Sequence, residues 1–74
     1  MTGETAKLLR LRYLIEERQA LEGKSDKTMG KVLGLNPRTF RNKVIGKKQF
    51  FTYPELIRLG SVLHFTEEEK LRIL

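Results

Sequence analysis

The side chains best suited to chemistry in this sequence form a block of cations between Lys24 and Lys48. These 25 residues hold eight basic side chains and one acid, Asp26, for a net charge of +7. The other 49 residues hold seven basic and eight acidic groups, so the whole surplus of the chain lies in this one stretch. A charged surface kept for solubility usually mixes both signs. A block of one sign favours a polyanionic partner, and nucleic acid suits it better than an anionic membrane because the block lacks a continuous amphipathic apolar face.

Several other chemistries lack the residues they need. Cysteine is absent and His64 is the only histidine, which excludes thiolate zinc sites, iron–sulfur clusters, cysteine nucleophiles and His-rich metal sites. There is no phosphate-cradling glycine loop after a strand, and 74 residues leave little volume for a pocket. We therefore expect no enzyme activity, no cofactor and no metal. No apolar run approaches the ~20 residues of a membrane span, and there is no signal-peptide core, so we expect no membrane contact.

The elements that position the cations are predicted to be five short helices in a single all-α domain, residues 1–74. No segment alternates apolar and polar residues for long enough to favour a strand. The first helix is predicted from about Thr5 to Glu22. Its apolar residues recur at three- and four-residue steps along one stripe, which comprises Leu8, Leu11, Leu14, Ile15 and Leu21.

The next two helices are short and have clear start signals. The second is predicted to begin at a cap, either Ser25 or Asp26, and to end at Leu33. Asn36 is a strong cap for the third helix, and Pro37 at its first position loses nothing by lacking an N–H. Each of the first three predicted helices is followed by a glycine, which accepts the left-handed backbone of a helix end; these are Gly23, Gly34 and Gly46.

Two capping boxes open the last two helices. Thr52 with Glu55 predicts the start of the fourth, and Thr66 with Glu69 predicts the start of the fifth. The aromatic pair at 50–51 allows base stacking, but packing beside the fourth helix explains it better.

The segment Asp26–Gly46 predicts a helix-turn-helix. Two helices joined by a tight turn need a small residue where they cross, which Gly30 supplies, and a positive φ at the turn, which Gly34 supplies. They also need apolar residues that face inward from both helices, and this role suits Met29, Leu33, Leu35, Phe40 and Val44.

With these features the sequence resembles the lambda-repressor-like, Cro-type (XRE-type) helix-turn-helix family over about residues 11–74. The run Lys47–Thr52 and the helix that follows also look like those of small phage and prophage repressors. Asp26 stands where the family often has Gln, a residue used there to touch DNA. The positions that match the family are Met29-Gly30, Leu33-Gly34-Leu35, Asn36, Phe40 and Gly46.

This resemblance implies a lambda-repressor-like fold of five helices and a function in sequence-specific binding of double-stranded DNA. The 36–45 helix would enter the major groove of the duplex. The candidate base contacts are Arg38, Thr39, Arg41 and Asn42. The candidate phosphate contacts are Lys27, Thr28, Lys31, Asn36, Lys43, Lys47 and Lys48.

The same resemblance implies a transcriptional regulator, of the repressor kind, in the cytoplasm of a bacterial cell or phage-infected host. We expect a homodimer, because one such module buries too little surface for tight specific binding. The apolar C-terminal residues Leu71, Ile73 and Leu74 would then form dimer contacts, or else fold back onto Leu8 and Leu11. The alternative function is a protein-interaction module of the same fold, such as an inhibitor of a host protein.

Overall fold

The computed structural model describes the backbone of residues 3–73 and the side chains of residues 6–72. Over this range the chain is helical with no strand, which confirms the all-α prediction. The five helices are α1 (Gly3–Glu22), α2 (Asp26–Leu33), α3 (Pro37–Ile45), α4 (Tyr53–Val62) and α5 (Glu67–Ile73).

The helix boundaries follow the predicted caps. Ser25 rather than Asp26 caps α2, and its hydroxyl accepts from the N–H of Thr28 at 3.2 Å. The Asn36 side chain caps α3 by accepting from the N–H of Thr39 at 2.7 Å. The backbone is left-handed at all three predicted glycines, Gly23, Gly34 and Gly46. The start of α1 is the one clear difference, since this helix begins two residues before the predicted start.

Both predicted capping boxes are present. The carboxylate of Glu55 accepts from the N–H of Thr52 at 2.8 Å, while the Thr52 hydroxyl accepts from the N–H of Glu55 at 3.3 Å. Thr66 and Glu69 make the same reciprocal pair at the start of α5, at 2.8 and 3.1 Å. Each box satisfies two backbone donors that a helix start would otherwise leave free.

One hydrophobic cluster joins α1, α2, α3, α4 and the link before α5. The side chains without any exposed surface are Ile15, Met29, Phe40, Leu59 and Leu63. The predicted stripe on α1 is wrong at Leu21, which is 72% exposed. At about 100° per residue, Leu21 lies roughly 120° around the helix from Ile15, and Gln19 takes the inward position instead.

Gly30 lies where α2 meets the chain entering α3. A Cβ atom there would stand 2.5 Å from the backbone oxygen of Leu35, so a larger residue requires the turn to move. The N–H of Leu35 donates to the backbone oxygen of Gly30 at 2.7 Å, and Gly34 makes the turn with φ of 73°. The turn thus requires a small residue at position 30, and the nearest atoms belong to Leu35 and Asn36 rather than to α3.

The carboxyl end of α4 is bound by two cations, one on α1 and one shortly after α1. Arg18 donates to the backbone oxygens of Leu63 and His64 at 3.1 and 2.7 Å, and Lys24 donates to that of Val62 at 2.7 Å. Arg18 also forms a forked pair with Glu69, at 2.6 and 2.8 Å, which attaches α5 to α1.

Leu71 does not fold back onto the first helix. This side chain is 80% exposed, so its predicted alternative of packing onto Leu8 and Leu11 is wrong. The reason is that α5 is attached to α1 through the Arg18–Glu69 pair, and Leu71 lies outside that contact. The side chain of Ile73 and all of Leu74 lie outside the described residues.

Candidate nucleic-acid interface

The third helix buries one face and presents the opposite one. Phe40 and Val44 are in the core, at 0% and 3% exposure. Arg38 is exposed, while Thr39 and Asn42 are half-buried. At about 100° per residue, these three polar residues lie 120° or more around the helix from the core direction. Three of the four predicted base-reading side chains therefore share the outward side of α3.

The cations of the 24–48 block fall into two groups. Lys24, Arg41 and Lys43 each pair with a carboxylate. The others are exposed and have no ion-pair partner among side chains 6–72, and they are Lys27, Lys31, Arg38, Lys47 and Lys48. They lie on α2, on α3 and in the loop after α3. The positive charge of these five side chains is therefore not neutralised by any carboxylate among side chains 6–72.

Arg41 differs from the other predicted base contacts because its guanidinium is already bound. Its Nε and Nη2 donate to the two oxygens of Asp26 at 2.9 and 2.6 Å, and its Nη1 donates to Glu16 at 3.2 Å. The hydrogen bond from Arg41 is the largest cause of a lowered pKa at Asp26, and the same bond raises the pKa of Arg41. A fork of this kind is among the stronger charge-assisted contacts in proteins.

Gln19 lies behind this pair and supports it. Its side chain is 7% exposed, and its Nε2 donates to Asp26 at 3.0 Å and to the backbone oxygen of Lys24 at 3.2 Å. Glu16 in turn accepts from Arg12 at 2.8 Å. We call the five residues Arg12, Glu16, Gln19, Asp26 and Arg41 the α1–α3 polar cluster. It links the first three helices and its formal charges sum to zero.

Lys43 is also placed differently from the predicted phosphate-contacting cations. Its Nζ donates to both oxygens of Glu55, at 2.8 and 2.9 Å, and each side chain of the pair is 14% exposed. Burial alone raises the pKa of Glu55, but the bonds from Lys43 and the Thr52 backbone outweigh it, so the pKa is lowered. In this structure Lys43 attaches α3 to α4, so a phosphate contact would require it to leave Glu55.

Two other predicted phosphate contacts have structural roles at helix starts. Asn36 uses its side-chain oxygen as the cap of α3. The N–H of Thr28 donates to Ser25, so it is not available to an anion, whereas the Thr28 side chain is exposed.

The aromatic pair at 50–51 is divided between core and surface. Phe51 is half-buried, with its ring centroid 5.9 Å from that of Phe40, as core packing predicts. Phe50 is 56% exposed and lines an open apolar cleft of about 360 Å³ together with Leu8, Leu11 and Leu56. Core packing therefore explains the position of Phe51, whereas more than half of the Phe50 side chain remains exposed.

Sequence reasoning did not single out Glu16 or Gln19. Both are ordinary residues of an amphipathic helix, and their contacts depend on how α1 meets α2 and α3. The one available signal was Asp26, the single acid in the cationic block. An isolated opposite charge of this kind predicts a local partner among the cations around it.

Comparison with protein-family models, curated proteins and solved structures found no match for this chain. Among residues 3–73, no helix has the length and apolar character required to cross a membrane.

Proposed function

We propose that this chain is a non-enzymatic, sequence-specific DNA-binding protein with a helix-turn-helix fold similar to that of small phage and prophage repressors. The observation that carries the proposal is a set of five exposed cations that have no ion-pair partner among side chains 6–72, together with the outward-facing polar residues of α3. A surface of this charge attracts a polyanion, and an exposed helix of this size fits the major groove.

The proposed base-reading residues are Arg38, Thr39 and Asn42. Arg38 and Asn42 are four residues apart and so share one side of α3. An arginine pairs with the O6 and N7 of guanine, and an asparagine pairs with the N6 and N7 of adenine. Thr39 is suited to a thymine methyl group or a phosphate oxygen. The proposed phosphate contacts, which orient the domain without reading bases, are Lys27, Lys31, Lys47 and Lys48.

A two-fold dimer completes the proposal, because specific DNA sites usually require more surface than one small module buries. The exposed side chain of Leu71 is available for such a contact. Selection from a random duplex library tests this directly. A palindromic product with half-sites about one helical turn apart supports the dimer, and a single short site contradicts it.

The experiment that tests DNA binding is a titration of labelled duplex DNA over a salt series. Four lysines that each neutralise one phosphate predict a log–log slope of about −3.6 per module. Between about 50 and 200 mM salt this slope corresponds to a loss of about 150-fold in affinity. A module that binds a host protein instead would show little affinity for duplex DNA and no such slope.

A matched pair of double variants locates the binding surface. Lys47→Gln with Lys48→Gln removes two charges beside α3 and is expected to reduce the slope to about −1.8. Lys7→Gln with Arg10→Gln removes the same two charges from exposed positions on α1 and is expected to leave the slope unchanged. Equal effects of the two double variants would show attraction to net charge alone and would refute the proposed surface.

A further inference from the structure

We propose that Asp26 is a specificity-determining residue, which withholds Arg41 from DNA and so restricts the reading surface of α3 to the side of Arg38 and Asn42. This inference rests on the proposed DNA-binding function and deepens it. It differs from the prediction made from sequence, in which Arg41 reads bases together with Arg38.

Arg41 already uses its donors within the molecule. A guanidinium reads guanine or grips a phosphate by directing two N–H groups at two acceptors. In Arg41 the Nε–Nη2 edge is held by Asp26, and Nη1 is held by Glu16. Three of the five N–H groups of Arg41 therefore already donate to a carboxylate oxygen, and a fork onto DNA through the Nε–Nη2 edge must displace Asp26.

Asp26 is itself held in place by its neighbours. It lies in the first turn of α2, directly after the Ser25 cap. The amide of Gln19 donates to it from a position that is 93% buried, since Gln19 retains only 7% exposure. Asp26 cannot follow Arg41 outward without leaving this amide, so release of Arg41 means breaking the fork itself.

Arg41 and Arg38 lie on different sides of α3. Arg41 and Lys43 flank the buried face of the helix on its two sides, and each is bound by a carboxylate of another helix. Arg38 lies on the outward side and has no carboxylate partner among side chains 6–72. The paired carboxylates thus leave one arginine of α3 available to bases instead of two.

The test is Asp26→Asn, which keeps the shape of the side chain and its contact with Gln19 but removes the charge that holds Arg41. In this variant Glu16 alone still binds Arg41, at 3.2 Å, and we expect the Nε–Nη2 edge of Arg41 to turn to the DNA and add one phosphate contact, which steepens the salt slope by about 0.9. Over the same fourfold range of salt this adds a factor of about 3.5 to the loss of affinity. The control is Glu17→Gln, which makes the same change in net charge at an exposed position of α1 and is expected to leave the slope unchanged.

Two further variants assign the effect to Arg41. Asp26→Asn combined with Arg41→Met is expected to return the slope to its original value. Arg41→Met alone is expected to leave both the slope and the selected sequence unchanged, because Arg41 does not touch DNA in the intact protein. The thermal transition of each variant is measured alongside to confirm that it remains folded.

Three results overturn the inference. An unchanged slope for Asp26→Asn shows that Arg41 stays in place or was never withheld. A steeper slope that persists in the double variant shows a general effect of charge. Loss of selectivity at one base pair in Arg41→Met shows that Arg41 already reads DNA. If the intact protein does not bind duplex DNA at low salt, both the proposed function and this inference fail. If the intact protein binds DNA but Asp26→Asn has no effect on the slope, only this inference fails.

Discussion

Substitution of Gly30 by alanine tests the close approach of the turn between α2 and α3 to the second helix. The added Cβ would stand 2.5 Å from the backbone oxygen of Leu35, whereas carbon and oxygen in contact are normally at least about 3.3 Å apart. The turn must therefore move by about 0.8 Å. It cannot rotate freely, because the N–H of Leu35 donates to Gly30 and Asn36 caps α3 immediately afterwards.

The size of the effect follows from two opposing contributions. Overpacking against a part of the structure that cannot yield costs about 3 kcal/mol, the upper end of the usual range. Alanine in a helix interior is favoured over glycine by about 1 kcal/mol. The net loss in the free energy of unfolding is about 2 kcal/mol, which lowers the Tm of a domain of this size by about 8–16 °C.

Gly60 provides the matched control, because it is also a buried glycine inside a helix. An added Cβ there meets the side chain of Lys70 at 3.4 Å and that of Phe65 at 3.6 Å, which is ordinary contact. Gly60→Ala is therefore expected to raise Tm, since only the gain in helix propensity remains. Thermal unfolding followed by circular dichroism measures both. If Gly30→Ala raises Tm as Gly60→Ala does, the described contact between Gly30 and the turn at Leu35 is refuted.

Three other outcomes are expected. Arg38→Ala should cost about 1–3 kcal/mol of binding free energy at one base pair and relax selectivity there, measured by titration of single-base variants of the selected duplex; an equal loss on every sequence would contradict base reading. Gly34→Val should lose about 1–3 kcal/mol of stability through backbone strain alone, because φ is 73° and no atom lies within 4 Å of the added Cβ; an unchanged Tm would contradict the left-handed turn. The pKa of Glu69 is lowered in the folded protein, chiefly by the hydrogen bond from the Thr66 backbone. The ionised side chain therefore stabilises the fold above its unfolded pKa of about 4.3, and this stabilisation is lost as pH falls through the lower folded pKa. Glu69→Gln should therefore weaken the fall in Tm on acidification, and Glu68→Gln, whose side chain is 74% exposed, should leave that fall unchanged.

The parts of the fold that depend on local sequence could be predicted. Asn36, Thr52 and Thr66 cap helices because a short polar side chain satisfies a backbone donor two or three residues away, with no help from the rest of the molecule. Gly30 and Gly34 were predictable for a similar reason, since a tight turn between two helices requires a small residue and a positive φ within a few positions.

The parts that depend on contacts between distant helices could not be predicted. Lys43 and Lys47 are both lysines of the cationic block, four residues apart, and nothing in the local sequence distinguishes them. Of the two, Lys43 lies opposite a carboxylate of α4. Arg38 and Arg41 both belong to the cationic block, and Arg41 is bound because α1 supplies Glu16 and α2 supplies Asp26. Leu21 matched the apolar spacing of α1, but its side chain is 72% exposed because it lies on a side of the helix that faces away from the core.

The bonds from Arg18 and Lys24 to the end of α4 have a consequence for how the molecule opens. Helix ends normally fray independently, and their amide protons then exchange with solvent well before global unfolding. Here the carbonyls at the end of α4 and directly after it, those of Val62, Leu63 and His64, accept from donors 38, 45 and 46 residues earlier in the chain. We therefore expect the exchange of amide protons near the end of α4 to slow or quicken in step with that of α1, so that the first and last parts of the chain open as one cooperative unit.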